Sequence, residues 1–163
     1  MDVDGQWRVG IGYDIHRLVP ARSLILAGVE IDSDVGLAGH SDADVVLHAV
    51  TDALLGAAGQ PDIGDLFPDT DPAYRGIDSA QLLSAALHRV RDAGYRPSNV
   101  DVIVHAERPK LGPLKSTMAA SIAELLGIPA TAVSVKAKTA EGLGPIGAGE
   151  AIACTASACV VRA

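Results

Sequence analysis

Residues 36–55 read Gly-Leu-Ala-Gly-His-Ser-Asp-Ala-Asp-Val-Val-Leu-His-Ala-Val-Thr-Asp-Ala-Leu-Leu. A loop ends at His40, and Ser41 is placed to cap a helix over about 42–58, because its hydroxyl can accept an unpaired first-turn amide. The helix stops at Gly59. Asp44, three residues on, completes a capping-box pattern and puts negative charge at the positive end of the helix dipole. Val45, Val46, Ala49, Val50, Ala53, Leu54 and Ala57 supply a broad apolar face. Asp44, His48 and Asp52 fall four apart and stack along one stripe. A histidine flanked by two carboxylates on a mostly apolar helix reads as a metal ligand with Asp44 and Asp52 standing behind it.

The other half of that constellation lies upstream. Residues 8–16, Arg-Val-Gly-Ile-Gly-Tyr-Asp-Ile-His, alternate like a strand, which turns Asp14 and His16 to the same side of a sheet. If the helix packs across that side, Asp14, His16 and His48 meet. Two histidines and a carboxylate with a fourth position open form the ligand set of a catalytic zinc site. The plainer alternative for the same residues is a strand end and a satisfied core histidine.

The length of 163 residues suits one domain over 8–163, with residues 1–7 as a flexible tail that is neither signal nor transit peptide. Apolar residues make up 48% but only 3% are aromatic, so the core is built from Ala, Val, Leu and Ile. Small side chains let elements approach closely and suit a chain that completes its burial by oligomerising. The net charge of −7 argues against nucleic acid, whose phosphates need a basic face. It also means that an anionic substrate needs metal ions or local lysines. Cys154 and Cys159, five apart in one strand, face opposite ways and do not pair, which fits a reducing compartment. No apolar run reaches the roughly 20 residues of a membrane span.

Along the rest of the chain, 23–31 reads as a hairpin turning near Gly28, and 32–39 as a polar loop that delivers His40. Residues 60–76, with three prolines and several aspartates around Ile63, Leu66 and Phe67, read as a substrate-covering loop. Helices are expected over 79–92 and 114–126, and strands over 99–106, 133–139 and 150–161. His88 is expected on the surface, and His105 in a structural role. Lys110, between helix breakers, can reach a phosphate or simply be solvated. Thr139 and the glycines of 141–149 suit a close backbone approach to phosphate. The resulting architecture is α/β (α+β): a two-layer sandwich of a mixed sheet covered on one face by three helices.

Gly-Tyr-Asp-Ile-His, the His-Ser-Asp helix, Asp-Ile-Gly-Asp-Leu-Phe-Pro-Asp-Thr-Asp-Pro, Arg-Pro-Lys and Lys-Thr-Ala-Glu-Gly-Leu-Gly follow one another in this order. Together they closely resemble the 2-C-methyl-D-erythritol 2,4-cyclodiphosphate synthase family of the non-mevalonate isoprenoid pathway, from about Arg8 to Arg162. The resemblance implies a homotrimeric, CMP-releasing phosphorus–oxygen lyase. Its substrate is 4-diphosphocytidyl-2-C-methyl-D-erythritol 2-phosphate, whose 2-phosphate attacks the β-phosphorus. It implies that Asp14, His16 and His48 hold zinc or another divalent transition metal. Glu141 would hold Mg2+ or Mn2+ with the diphosphate. His40 and Ser41 would meet the phosphate and erythritol end. Ile63, Phe67 and Asp69 would line the erythritol pocket, and Asp62 and Gly64 would meet the ribose. Ala106, Pro109, Lys110, Leu111 and Gly112 would face the cytosine, and Thr139 the diphosphate. Sites lie between subunits in that family, and the location is the bacterial cytoplasm, or a plastid stroma after removal of a transit peptide. Two departures stand out. Ile146-Gly147-Ala148-Gly149-Glu150 replaces a common Thr-Gly-Arg-Gly-Glu, and Lys138, where threonine is common, adds positive charge beside the diphosphate.

Overall fold

The computed structural model describes residues 7–68 and 70–163. Strand β1 runs over Trp7–Pro20, beyond both ends of the expected strand, so Trp7 belongs to the sheet rather than to a tail. The rest of the expected tail lies outside the described residues. A tight hairpin, β2 (Leu24–Leu26) and β3 (Val29–Ile31), turns at Ala27 and Gly28, both with positive φ. Strand β4 (Val35–Leu37) follows, where the sequence reads only as polar loop. Its three residues are too short for a periodic signal, and pairing with Leu18, Val19 and Pro20 of β1 supplies the order.

Helix α1 covers Val45–Ala57. It is capped by Asp44, not Ser41, and so starts later than expected. The short helix α2 (Ile63–Leu66) and a 3-10 turn at Pro72–Tyr74 lie within the long loop. Helix α3 spans Ser79–Asp92 and strand β5 Tyr95–His105. The start of β5 is hidden in the sequence by Pro97, which the strand accommodates with a register shift between Pro97 and Asn99. Helix α4 (Lys115–Leu126), strand β6 (Val133–Lys138), the short helix α5 (Gly144–Gly147) and strand β7 (Ala151–Arg162) complete the chain. The main sheet has the order β4-β1-β7-β5-β6. Only the β5–β6 pair is parallel, so the sheet is mixed, with α1, α3 and α4 as the main helices.

The packing of α1 on β1 positions the site. Gly10 and Gly12 face the helix, and Cβ atoms there would stand 2.0 Å from the Ala53 carbonyl oxygen and 1.9 Å from that of Ala49. Two residues along a strand and four along a helix both advance roughly 6–7 Å, so glycines at i, i+2 mesh with alanines at i, i+4. The helix backbone therefore rests on the strand backbone. This close approach brings His48, the residue before Ala49, within 2.9 Å of Asp14, the next residue on the same face of β1 after Gly12. The apolar face expected for α1 is wider in fact: Leu47, Thr51 and Leu55 are also buried, because the helix is enclosed by the sheet, α3 and the hairpin.

Asp44 holds this arrangement together and is fully buried. Its carboxylate accepts from Val46 N and Leu47 N at 3.0 Å each, and from Ala27 N at 2.9 Å and Gly28 N at 2.6 Å in the hairpin turn. Burial pushes its carboxyl up to about 6 against these amides, which favour the charged form. Asp44 thus serves backbone amides rather than the ring of His48, in contrast to the sequence expectation. Asp44→Ala should orphan four amides at once. The expected loss is about 3 kcal/mol or more, from a lost cap plus unsatisfied buried donors. Urea titration should show it as a lowered midpoint at unchanged m.

Candidate metal centre and active-site cleft

Asp14 and His16 lie on the helix-facing side of β1, opposite Cys154 and Ile152 of β7. His16 Nε2 and His48 Nδ1 each lie 2.9 Å from Asp14 Oδ2, and 3.3 Å from one another. The His16 ring donates its Nδ1 proton to the Ala38 carbonyl at 2.9 Å, which leaves the Nε2 lone pair directed inward. Ala38 is fixed in turn by its amide on the Arg17 carbonyl, at the end of β4. The short strand absent from the sequence reading thereby orients a ligand. Burial would raise the Asp14 carboxyl, but hydrogen bonds and charge from both histidines hold it well below the usual carboxylate range. Burial would lower His16, and Asp14 outweighs it, so its net shift is upward.

Protons on the rings satisfy these contacts in the metal-free protein, and a cation held by the same three atoms would take their place. A tetrahedral zinc ion with bonds of about 2.0–2.2 Å spaces its ligands by about 3.3 Å. The Asp14, His16 and His48 cluster is therefore consistent with a divalent metal site. Its open side faces a cleft of about 650 Å³ that also exposes His40, Ser41, Asp52, Ile63, Gly64 and Phe67. Tyr74, Thr70, Ile77 and Leu82 complete the wall, and the sequence reading did not single them out. Phe67 and Tyr74 meet edge to face at 5.5 Å, an aromatic pair that no local spacing announces.

The remaining expected residues distribute as follows. Arg22 donates to the carbonyls of Gly39 (3.1 Å) and Ser41 (3.0 Å), bracing the His40 turn. Asp52 accepts from Ile63 N at 2.8 Å and thus anchors α2 to α1. Asp62 caps α2 through Asp65 N and does not line the cleft. Asp69 lies outside the described residues. Ala106, Lys138, Thr139 and Glu141 gather elsewhere, at the ends of β5 and β6. Ala106 N donates to the Lys138 carbonyl, and the Thr139 hydroxyl donates to Glu141 Oε1 at 2.6 Å. Pro109, Lys110, Leu111 and Gly112 follow β5, with Leu111 buried and Lys110 exposed. None of this second group lines the metal cleft of the same chain. The Arg108 guanidinium packs against Gly149, where a Cβ would sit 3.0 Å from its Nε. Cys154 and Cys159 are free thiols, as expected, and burial followed by the Asp44 and Asp14 charges pushes the Cys154 thiol up, which leaves it inert. Among the described residues, no helix is long and apolar enough to cross a membrane.

A mixed sheet under three main helices, with a carboxylate and two imidazoles converging at the open side of a cleft, defines an α/β protein whose cluster is consistent with a divalent metal site. The YgbB family model matches residues 7–161, and the chain belongs to that family. It is 59% identical to the 2-C-methyl-D-erythritol 2,4-cyclodiphosphate synthase of Bordetella petrii over 96% of this chain and 97% of that one. Its structure is similar to that of the bifunctional IspDF from Campylobacter jejuni, with a TM-score of 0.92 and 42% identity over 96% of this chain and 42% of that longer one. It is also similar to a CDP-bound form of 2C-methyl-D-erythritol-2,4-cyclodiphosphate synthase, with a TM-score of 0.85 and 40% identity over 93% and 98% of the two chains.

Proposed function

We propose that this chain is a phosphorus–oxygen lyase that converts 4-diphosphocytidyl-2-C-methyl-D-erythritol 2-phosphate to 2-C-methyl-D-erythritol 2,4-cyclodiphosphate and CMP. The observation that carries this reading is the convergence of Asp14, His16 and His48 in the cleft of a chain 59% identical to a 2-C-methyl-D-erythritol 2,4-cyclodiphosphate synthase. An oxygen of the 2-phosphate forms a bond to the β-phosphorus, and the bond from that phosphorus to the CMP oxygen breaks. No water is consumed.

The chain's residues act by placement. Asp14, His16 and His48 hold zinc or a similar divalent metal. When bound, such an ion supplies Lewis-acid stabilisation to a phosphoryl oxygen and a template for in-line geometry. Glu141, exposed at the end of β6, holds Mg2+ or Mn2+ with the diphosphate, and Thr139 and Lys138 contact the same group. His40 and Ser41 orient the phosphate and erythritol end. Ile63, Phe67 and Asp69 enclose the erythritol, and Asp62 and Gly64 meet the ribose. The segment 106–112 takes the cytosine; a relative with bound CDP supports a cytidine nucleotide as the ligand.

The metal group and the Glu141 group lie apart on one chain, which supports sites built between neighbouring chains. The outer face of β1 supports assembly as well. Trp7, Val9, Ile11, Tyr13 and Ile15 form an exposed apolar row, with Ile11 at 73% and Trp7 at 64%. We assign this face to a homotrimer in the bacterial cytoplasm, and light scattering should return a particle of three chains.

Turnover in water enriched in oxygen-18 tests the reaction class. Cyclisation leaves both the CMP and the cyclic product unlabelled. Label in either phosphate product identifies attack by water and replaces the lyase with a phosphohydrolase.

A further inference from the structure

His48 has two ring nitrogens, and only Nδ1 faces Asp14 and His16. Its Nε2 lies 2.9 Å from the hydroxyl of Ser79, the first residue of α3. Ser79 is 1% exposed and lies 31 positions from His48 in sequence. Its hydroxyl also meets Asp42 Oδ1 in a very short contact, and its amide donates to Asp42 Oδ2 at 3.0 Å. Asp42 is held in turn, because its own amide donates to the Ile77 carbonyl at 3.1 Å.

A serine hydroxyl has one proton, and a carboxylate only accepts. With that proton on Asp42, the Ser79 oxygen is left as an acceptor, and His48 must present Nε2–H to it. The Nδ1 lone pair is then free to point at Asp14 Oδ2 and His16 Nε2. Metal-binding histidines generally donate their second N–H to such a partner, which fixes both tautomer and ring angle. Here the carboxylate acts through an interposed hydroxyl.

We propose that Ser79 and Asp42 are the positioning residues of the metal centre, setting the tautomer and the rotation of His48. The inference rests on reading Asp14, His16 and His48 as metal ligands. It gives α3 a part in metal binding although that helix supplies no ligand.

The test is zinc affinity of the assembled full chain, measured by competition with a chromophoric chelator, with the visible spectrum of the cobalt-loaded protein as a second readout. Ser79→Ala should weaken zinc binding about 10- to 100-fold and alter the cobalt spectrum. Asp42→Asn should act in the same direction. The rise in Tm on adding zinc should shrink in both variants, because that increment follows occupancy of the folded state. Ser41→Ala removes the other hydroxyl near Nε2, which is farther away at 3.3 Å, and should leave zinc affinity within about threefold. Zinc affinity and cobalt spectrum unchanged in Ser79→Ala overturn the inference, even if the Tm of apo and loaded protein falls equally. A larger loss in Ser41→Ala than in Ser79→Ala overturns it as well. A wild-type chain that binds no zinc overturns the metal reading and this inference with it.

Discussion

Gly12→Ala should be among the most damaging single-methyl additions in this protein. The new Cβ would stand 1.9 Å from the Ala49 carbonyl oxygen and 2.9 Å from Ala53 N. Both are backbone atoms of α1 and cannot rotate away as a side chain could. Reaching an ordinary 3.4 Å contact requires the helix to retreat by about 1.5 Å, against a helix buried on nearly every side. Overpacking of this kind costs about 3 kcal/mol or more. For a domain of this length that lowers Tm by roughly 6–12 °C. The same retreat carries His48 away from Asp14 and His16, and metal sites tolerate only about 0.2 Å in ligand distance. Zinc affinity should therefore fall together with stability. Gly56→Ala, on the same helix but with nothing within 4 Å of the added carbon, should be neutral or stabilising by up to about 1 kcal/mol. A Gly12→Ala protein within 1 kcal/mol of wild type would mean that α1 does not rest on β1 as described.

His48→Ala should show the opposite profile, with folding kept and chemistry lost. Alanine is a good helix former, and the Asp14–His16 and Ser79–Asp42 contacts do not depend on the ring. The apo protein should therefore melt close to wild type. The stabilisation that zinc confers on the wild type should disappear. Turnover should fall on the order of 10³-fold or more, because a catalytic metal supplies several kcal/mol of transition-state charge stabilisation and each 1.36 kcal/mol is a factor of ten. A variant that binds zinc normally would remove His48 from the ligand set.

Much of this site is legible in the sequence because its ligands obey local periodicities. Asp14 and His16 share a face through the two-residue repeat of a strand, and the i, i+4 pattern of α1 places His48 on the helix. Helix α3 and strands β6 and β7 follow for the same reason, since their apolar spacing and terminal glycines are local. What the sequence conceals is tertiary. Ser41 and Asp44 are both competent caps, and the choice between them falls to Asp44 because the amides of a hairpin turn 16 and 17 residues away also need its carboxylate. Strand β4 exists through its partner rather than its own pattern, and Pro97 masks the start of β5. Asp42 and Ser79 stand 37 residues apart, with no repeat to join them. The long loop reads as irregular, yet Asp62 and Asp71 each cap a short turn within it. Leu47 and Leu55 on the second face of α1 were a visible sign that this helix is covered all round.

The central claim is that Asp14, His16 and His48 form a metal site at which the 2-phosphate closes onto the β-phosphorus. Phosphorus NMR of the products formed from 4-diphosphocytidyl-2-C-methyl-D-erythritol 2-phosphate tests it most directly, with the wild type before and after chelation and again after zinc and magnesium are restored. The account predicts the paired resonances of a cyclic diphosphate together with CMP. Both should vanish on chelation and return with the two metals. Linear phosphates with CMP, or cyclic product that persists in the metal-free protein, would contradict it.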